Sequence, residues 1–278
     1  MEGIRSARIE AALTRAVDNG DVVDLFDLLG RSSGLPGPRP NVELGDAVAA
    51  ALAIRKKGAD ATVRALAQSE SEYHALCGAL ALGARWAAGI DAVASADTLQ
   101  GLAEDGRRHV RGAVVRVVRR YIERHGSAGL AELSAWTDGY LQAHAVLEAL
   151  ADRTVLAALP EAEPVLARLD EAFLLADRSP RAAERSEGLR TLRRDLPRQI
   201  TVFAGRFSEV VTWLSARTAS KRPESRDVVE ATIHALRKGA TAHSETDRLA
   251  ASLSASAPAP RDPSRIVHGT RNRSKGRR

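Results

Sequence analysis

The side chains best able to do chemistry in this 278-residue chain are arginines, 36 of them against five lysines. A guanidinium does not act as a base at neutral pH, but its planar fork of donors binds carboxylate and phosphate. Two groups recur at helical spacing. Arg116, Arg119 and Arg120 fall on the face of a Val110–His125 helix opposite Val110, Val114, Val117 and Tyr121. In the stretch after Pro180, Arg190, Arg193 and Arg194 lie away from Leu189, Leu192 and Leu196. If both helices line one surface, these arginines make an anion-binding strip. The plainer expectation is a solvated helix face, its cations met by local acids such as Glu123 and Asp195.

Other reactive types are sparse. No phosphate-cradling glycine loop, His-Glu-x-x-His or nucleophile elbow occurs. The seven histidines are dispersed. His144 and His234 fall near equivalent helical positions, and His74 and Cys77 stand at i, i+3, but no carboxylate cluster completes a metal site. No metal and no small-molecule cofactor are expected. Cys77 is the only cysteine, which rules out an internal disulfide and reads as a small buried hydrophobe.

Charge is unevenly placed. From Pro258 onward there are seven basic residues, Arg261, Arg265, Arg271, Arg273, Lys275, Arg277 and Arg278, and one acid, Asp262. The rest of the chain holds 34 of each sign, so the net charge of +6 belongs to this tail. The body is therefore not a uniformly basic nucleic-acid surface, whereas the tail could neutralise phosphates or dock on an acidic protein. Ile266-Val267, an isolated apolar pair in the tail, offers an anchor back onto the helices. The first residues carry acid and base too early for a signal peptide. No window approaches 18 uncharged apolar residues, so a non-membrane, cytoplasmic protein is expected.

The positioning elements are helical. Aromatic residues are 4% of the chain, and Ala, Leu and Val must build the core. Residues 1–40 read as a hairpin, Ile4–Val17 and Val22–Leu29, followed by an ordered extended connector, Gly34–Pro40, and Asn41 as an N-cap. A small-apolar frame then recurs six times, at Ala47–Leu52, Ala75–Leu80, Ala113–Val118, Ala145–Leu150, Gly188–Arg193 and Ala231–Leu236. Small residues at such positions let helices approach closely and stack. Pro197 should kink a helix or start one, and Pro223 suits a first turn. Residues 41–253 read as the repeat body, and 254–278 as a disordered arginine-rich tail.

The third copy has the fullest frame. Leu99–Asp105 ends one helix, Gly106–His109 turns the chain, and Val110-Arg111-Gly112-Ala113 opens the next. This resembles the HEAT repeat, whose second helix begins with a Val-Arg pair a few residues after an aspartate. As spacing the resemblance covers residues 41–240, and as a motif only 99–125; Asp227–Ala231 lacks the arginine, and Gln142-Ala143 lacks both signature residues. It implies an α-solenoid of stacked antiparallel helix pairs and says little of function. With no catalytic motif present, the expectation is a non-catalytic scaffold binding a protein or nucleic acid along its concave face, helped by the basic tail. A weaker similarity is to HEAT-like DNA glycosylases that remove alkylated purines, which use aromatic and carboxylate residues of the type of Trp136, Asp138 and Trp213. At i, i+2, however, Trp136 and Asp138 do not share a helix face, and tryptophan as core filler is the simpler expectation.

Overall fold

A computed structural model describes residues 2–55, 58–239 and 242–258. Among them the protein is all-α, with no strand. The first helices are α1 (Glu2–Asn19), α2 (Val23–Ser32), α3 (Val42–Ile54), α4 (Ala59–Ala67) and α5 (Glu72–Ala87). Next come α6 (Ala92–Ala103), α7 (Arg108–Glu132), α8 (Tyr140–Leu150), α9 (Arg153–Ala158) and α10 (Glu163–Asp177). The last are α11 (Glu187–Ala204), α12 (Glu209–Arg217), α13 (Pro223–Arg237) and α14 (His243–Ala255). No described helix is long and apolar enough to cross a membrane.

The six copies of the small-apolar frame fall on α3, α5, α7, α8, α11 and α13, and each of these helices packs on the next in that order. The remaining helices flank the row: α4 and α6 against α5, α10 against α8 and α11, α12 against α11, α14 against α13. Burial follows position in the row. In the interior copies Ala75, Ala113 and Ala145 are all buried, whereas Ala47 and Ala231, on the helices that end the row, are exposed. An end helix has a copy-bearing neighbour on one side only. Ala113 is 5% exposed between neighbours, so Ala113→Leu is expected to overpack and cost about 1–3 kcal/mol, read from urea or thermal unfolding.

The motif residues touch. Arg111 Nη1 donates to the Asp105 carbonyl at 2.6 Å, and Asp105 holds Arg107 through Nε at 2.8 Å and Nη2 at 2.6 Å. Arg107 in turn reaches the carbonyls of Ser69 and Glu70, in the turn before α5, at 2.7 and 2.9 Å. Arg222, just before α13, does the same toward the turn after α10, reaching the Ser179 carbonyl at 2.8 Å and the Asp177 carbonyl. Both arginines satisfy loop carbonyls that packing would otherwise leave unpaired, tying successive turns together.

Several local expectations change. Gly34–Pro40 is not extended: the Asn41 amide donates to the Ser33 carbonyl at 2.7 Å and the buried Ser33 hydroxyl accepts from the Leu35 amide at 3.1 Å, which folds the loop back on itself. Asn41 does cap α3, accepting from the Leu44 amide at 3.2 Å. Pro197 starts no new helix: it lies inside α11, whose stripe Leu189, Leu192, Leu196, Ile200 and Phe203 is fully buried on both sides of it. The run from Arg108 to Glu132 is broken at Gly126, whose φ of 58° only glycine adopts readily. At the other end, α14 continues past Leu253 to Ala255, since Arg226 bonds both the Leu253 carbonyl and the Ser256 hydroxyl. Residues 254–256 thus belong with the helices, and 259–278 lie outside the described residues.

Candidate functional site

The first arginine group is built on α7 and answered from other helices. Asp46, on α3, accepts from Arg116 at 2.7 Å and from Arg120 through both oxygens, at 2.8 and 2.7 Å. Arg119 pairs with Asp152, the capping residue of α9, at 3.1 Å. Glu123, the local acid expected to offset them, forms no ion pair among the described residues. Burial alone would raise the Asp46 carboxyl, and the bonds from Arg120 and Arg116 outweigh it, so the pKa is lowered. A carboxyl lowered by folding stabilises the fold above its unfolded pKa and stops doing so as pH falls through its folded value. Asp46→Asn is therefore expected to destabilise at pH 7, and the gap to the unaltered protein should narrow below about pH 4, as thermal unfolding at pH 7 and pH 3 will show.

The second group disperses. Arg193 is structural: its side chain is 14% exposed and binds Glu184 at 2.6 Å, the Ala176 carbonyl at 2.9 Å and the Ser179 hydroxyl at 3.0 Å. Arg194 is exposed and grips Asp195 at 2.9 Å, as expected of a local partner. Asp195 also accepts from His144 Nε2 at 2.9 Å, and the bond from Arg194, with that from His144, lowers its pKa against burial. Arg190 is exposed and forms no ion pair among the described residues. Arg271, Arg273, Lys275, Arg277 and Arg278 lie outside the described residues.

What the structure does assemble is a cavity of about 290 Å3 beside α3, α5 and α7. Arg108, His109, Arg116 and Arg119 line it, over an apolar floor of Val42, Leu76, Leu80 and Val115. The spacing is helical: residues 108, 112, 116 and 119 follow one face of α7, and Gly112 leaves that face open. Arg116 and Arg119 share their charge with Asp46 and Asp152; Arg108, exposed, meets no acid among the described residues. Such a site can hold a carboxylate or phosphate by charge-assisted bonds while the floor takes an apolar group. The sequence places Arg108 and His109 in a turn and not in a site, although the i, i+4, i+8 run Arg108–Gly112–Arg116 marks one helix face.

Reactive groups do not converge on it. Cys77 is fully buried, and burial raises its thiol to about 12, which keeps it protonated. His74 is lowered by burial and bonds the Phe26 carbonyl at 2.9 Å. No group of three His, Cys, Asp or Glu side chains among the described residues could hold a metal. Trp136 is buried in a stack with Trp86, itself 3.6 Å from the ring of Tyr121, while Asp138 is exposed. Trp213 stands elsewhere, donating to Asp170 at 3.1 Å and meeting Phe173 edge-on. The ring and hydrogen-bond partners of the two tryptophans share no residue, so these contacts do not join Trp136, Asp138 and Trp213.

Compared with known protein families, curated proteins and solved structures, the chain matches none.

Proposed function

We propose that this chain is a HEAT-like α-solenoid acting as a non-catalytic scaffold, binding an acidic stretch of a macromolecular partner, protein or nucleic acid, along its row of copy-bearing helices. The observation that carries the reading is the order of packing: six copies of one small-residue frame occupy six helices that touch in sequence. Repetition of that kind builds an extended surface rather than one enclosed pocket. The cavity under Arg108, Arg116 and Arg119 lies on that row and supplies unbalanced positive charge over apolar side chains. The glycosylase alternative receives less support, because Trp136 is enclosed and the acid beside Trp213 already serves Trp213 and Arg217.

The deciding experiment is affinity purification of the full chain from its native host, with and without nuclease, beside Arg108→Glu. A partner that survives nuclease is a protein and should be lost with Arg108→Glu. One lost with nuclease is nucleic acid and should be weakened by Arg108→Glu, the basic residues from Pro258 onward retaining part of it. Identical captures by both chains would remove the cavity from the binding surface. Arg108 is exposed and forms no ion pair among the described residues, so the substitution spares the fold.

A further inference from the structure

A groove of about 670 Å3 opens between α10 and α12, away from the cavity on α7. Helical spacing makes it: Leu166 and Asp170 lie along one face of α10, Glu209, Trp213 and Arg217 along one face of α12, and Phe207 adds to the apolar floor. Asp170 is engaged by Trp213 and Arg217, whereas Glu161, Glu163 and Glu209 are exposed and meet no cation among the described residues. Glu163 and Glu209 sit in first helical turns, where acids are favoured by the helix dipole. That accounts for each alone, but not for their convergence with Glu161 around a half-buried tryptophan.

An apolar groove with a carboxylate rim suits an apolar residue flanked by arginines. This chain holds such a segment, with Arg261 and Arg265 just before Ile266-Val267. The segment also begins close by. The Ser256 hydroxyl donates to the carbonyl of Thr218, the residue that ends α12, and the Thr218 and Ser252 hydroxyls are 2.7 Å apart. The last described residues therefore lie against the helix that carries Trp213 and Arg217. The nine residues of α12 span about 13 Å, and the chain from Pro258 to Ile266 can reach about 26 Å.

We propose that Ile266 and Val267 seat in the α10–α12 groove of their own chain, with Arg261 and Arg265 on the Glu161, Glu163 and Glu209 rim. Tethering makes a weak contact sufficient, because a short linker holds the segment at roughly millimolar effective concentration. Docking would keep part of the basic tail from other anions, whatever partner the row of helices takes.

Trp213 reports on the groove, since Trp86 and Trp136 are only 8% and 3% exposed. Acrylamide quenching of the full chain at low salt, with Trp213→Phe giving the background, should find Trp213 protected. Ile266→Asp with Val267→Asp, or Arg261→Glu with Arg265→Glu, should each abolish that protection. Equal quenching of the unaltered chain and both variants would overturn the proposal. A second measurement places the contact directly: Arg265→Lys supplies an amine for zero-length cross-linking to carboxylates. Links to Glu161, Glu163 or Glu209 within one chain are the expected result. Links only between copies, or only to carboxylates elsewhere, would overturn docking in cis. These tail substitutions leave residues 2–258 untouched, so misfolding of the helices cannot imitate the loss.

Discussion

Gly78→Ala, the addition of one methyl group, is expected to cost at least about 3 kcal/mol, the top of the usual range for overpacking. A Cβ at Gly78 would lie 2.3 Å from the Ala67 amide nitrogen and 2.5 Å from its Cα. Those are backbone atoms of the neighbouring α4, which cannot swing aside as a side-chain tip can. α5 itself has little room to retreat, being packed by α2, α3, α4, α6 and α7. A loss of this size is a large share of the ~5–15 kcal/mol that holds a domain folded. Gly101→Ala is the matched control: it lies in α6 with nothing within 4 Å of the added methyl, and helix propensity should make it neutral or stabilising by up to about 1 kcal/mol. Urea unfolding of the two variants separates the explanations. If both behave alike, the close approach of α4 and α5 is not what Gly78 provides.

Helix packing of this kind was partly legible in the sequence, because small residues at fixed spacing leave a local signature. The six copies identified their helices, and Asn41 and Pro223 marked two starts that the backbone obeys. Pairings across long separations left no such signature. Asp46 and Arg116 are 70 residues apart, and Trp213 and Asp170 are 43 apart. Trp136 and Asp138 are near in sequence, yet i, i+2 on a helical turn sends one into the core and the other to solvent. The arginine groups show the same limit. Periodicity placed them on helix faces correctly, but whether a face is solvated, paired or cavity-lining depends on the helices opposite it. Arg193 is bound by Glu184, the Ala176 carbonyl at the end of α10 and the Ser179 hydroxyl, groups that only the turn after α10 brings within reach.

Truncation after Ala257 is expected to weaken binding to duplex DNA by orders of magnitude at low salt and to flatten its salt dependence. The body without the tail has 34 cationic and 34 anionic side chains, and Arg116, Arg119 and Arg120 are tied to Asp46 and Asp152. Seven basic residues lie from Pro258 onward, and each phosphate neutralised contributes roughly −0.9 to the slope of log K against log salt. The full chain should then show a slope no steeper than about −6, a fall of at most about 4,000-fold between 50 and 200 mM salt. The cut leaves α14 and the Ser256 bonds to Arg226 and Thr218 in place, so the helices should unfold at the same temperature. Docking of Ile266 and Val267 would lower the full chain's apparent affinity without removing the charge that drives it. Unchanged affinity and slope after truncation would place the duplex-binding charge on the helices, with Arg108 and Arg190, both exposed and without an ion pair among the described residues, as the first positions to substitute.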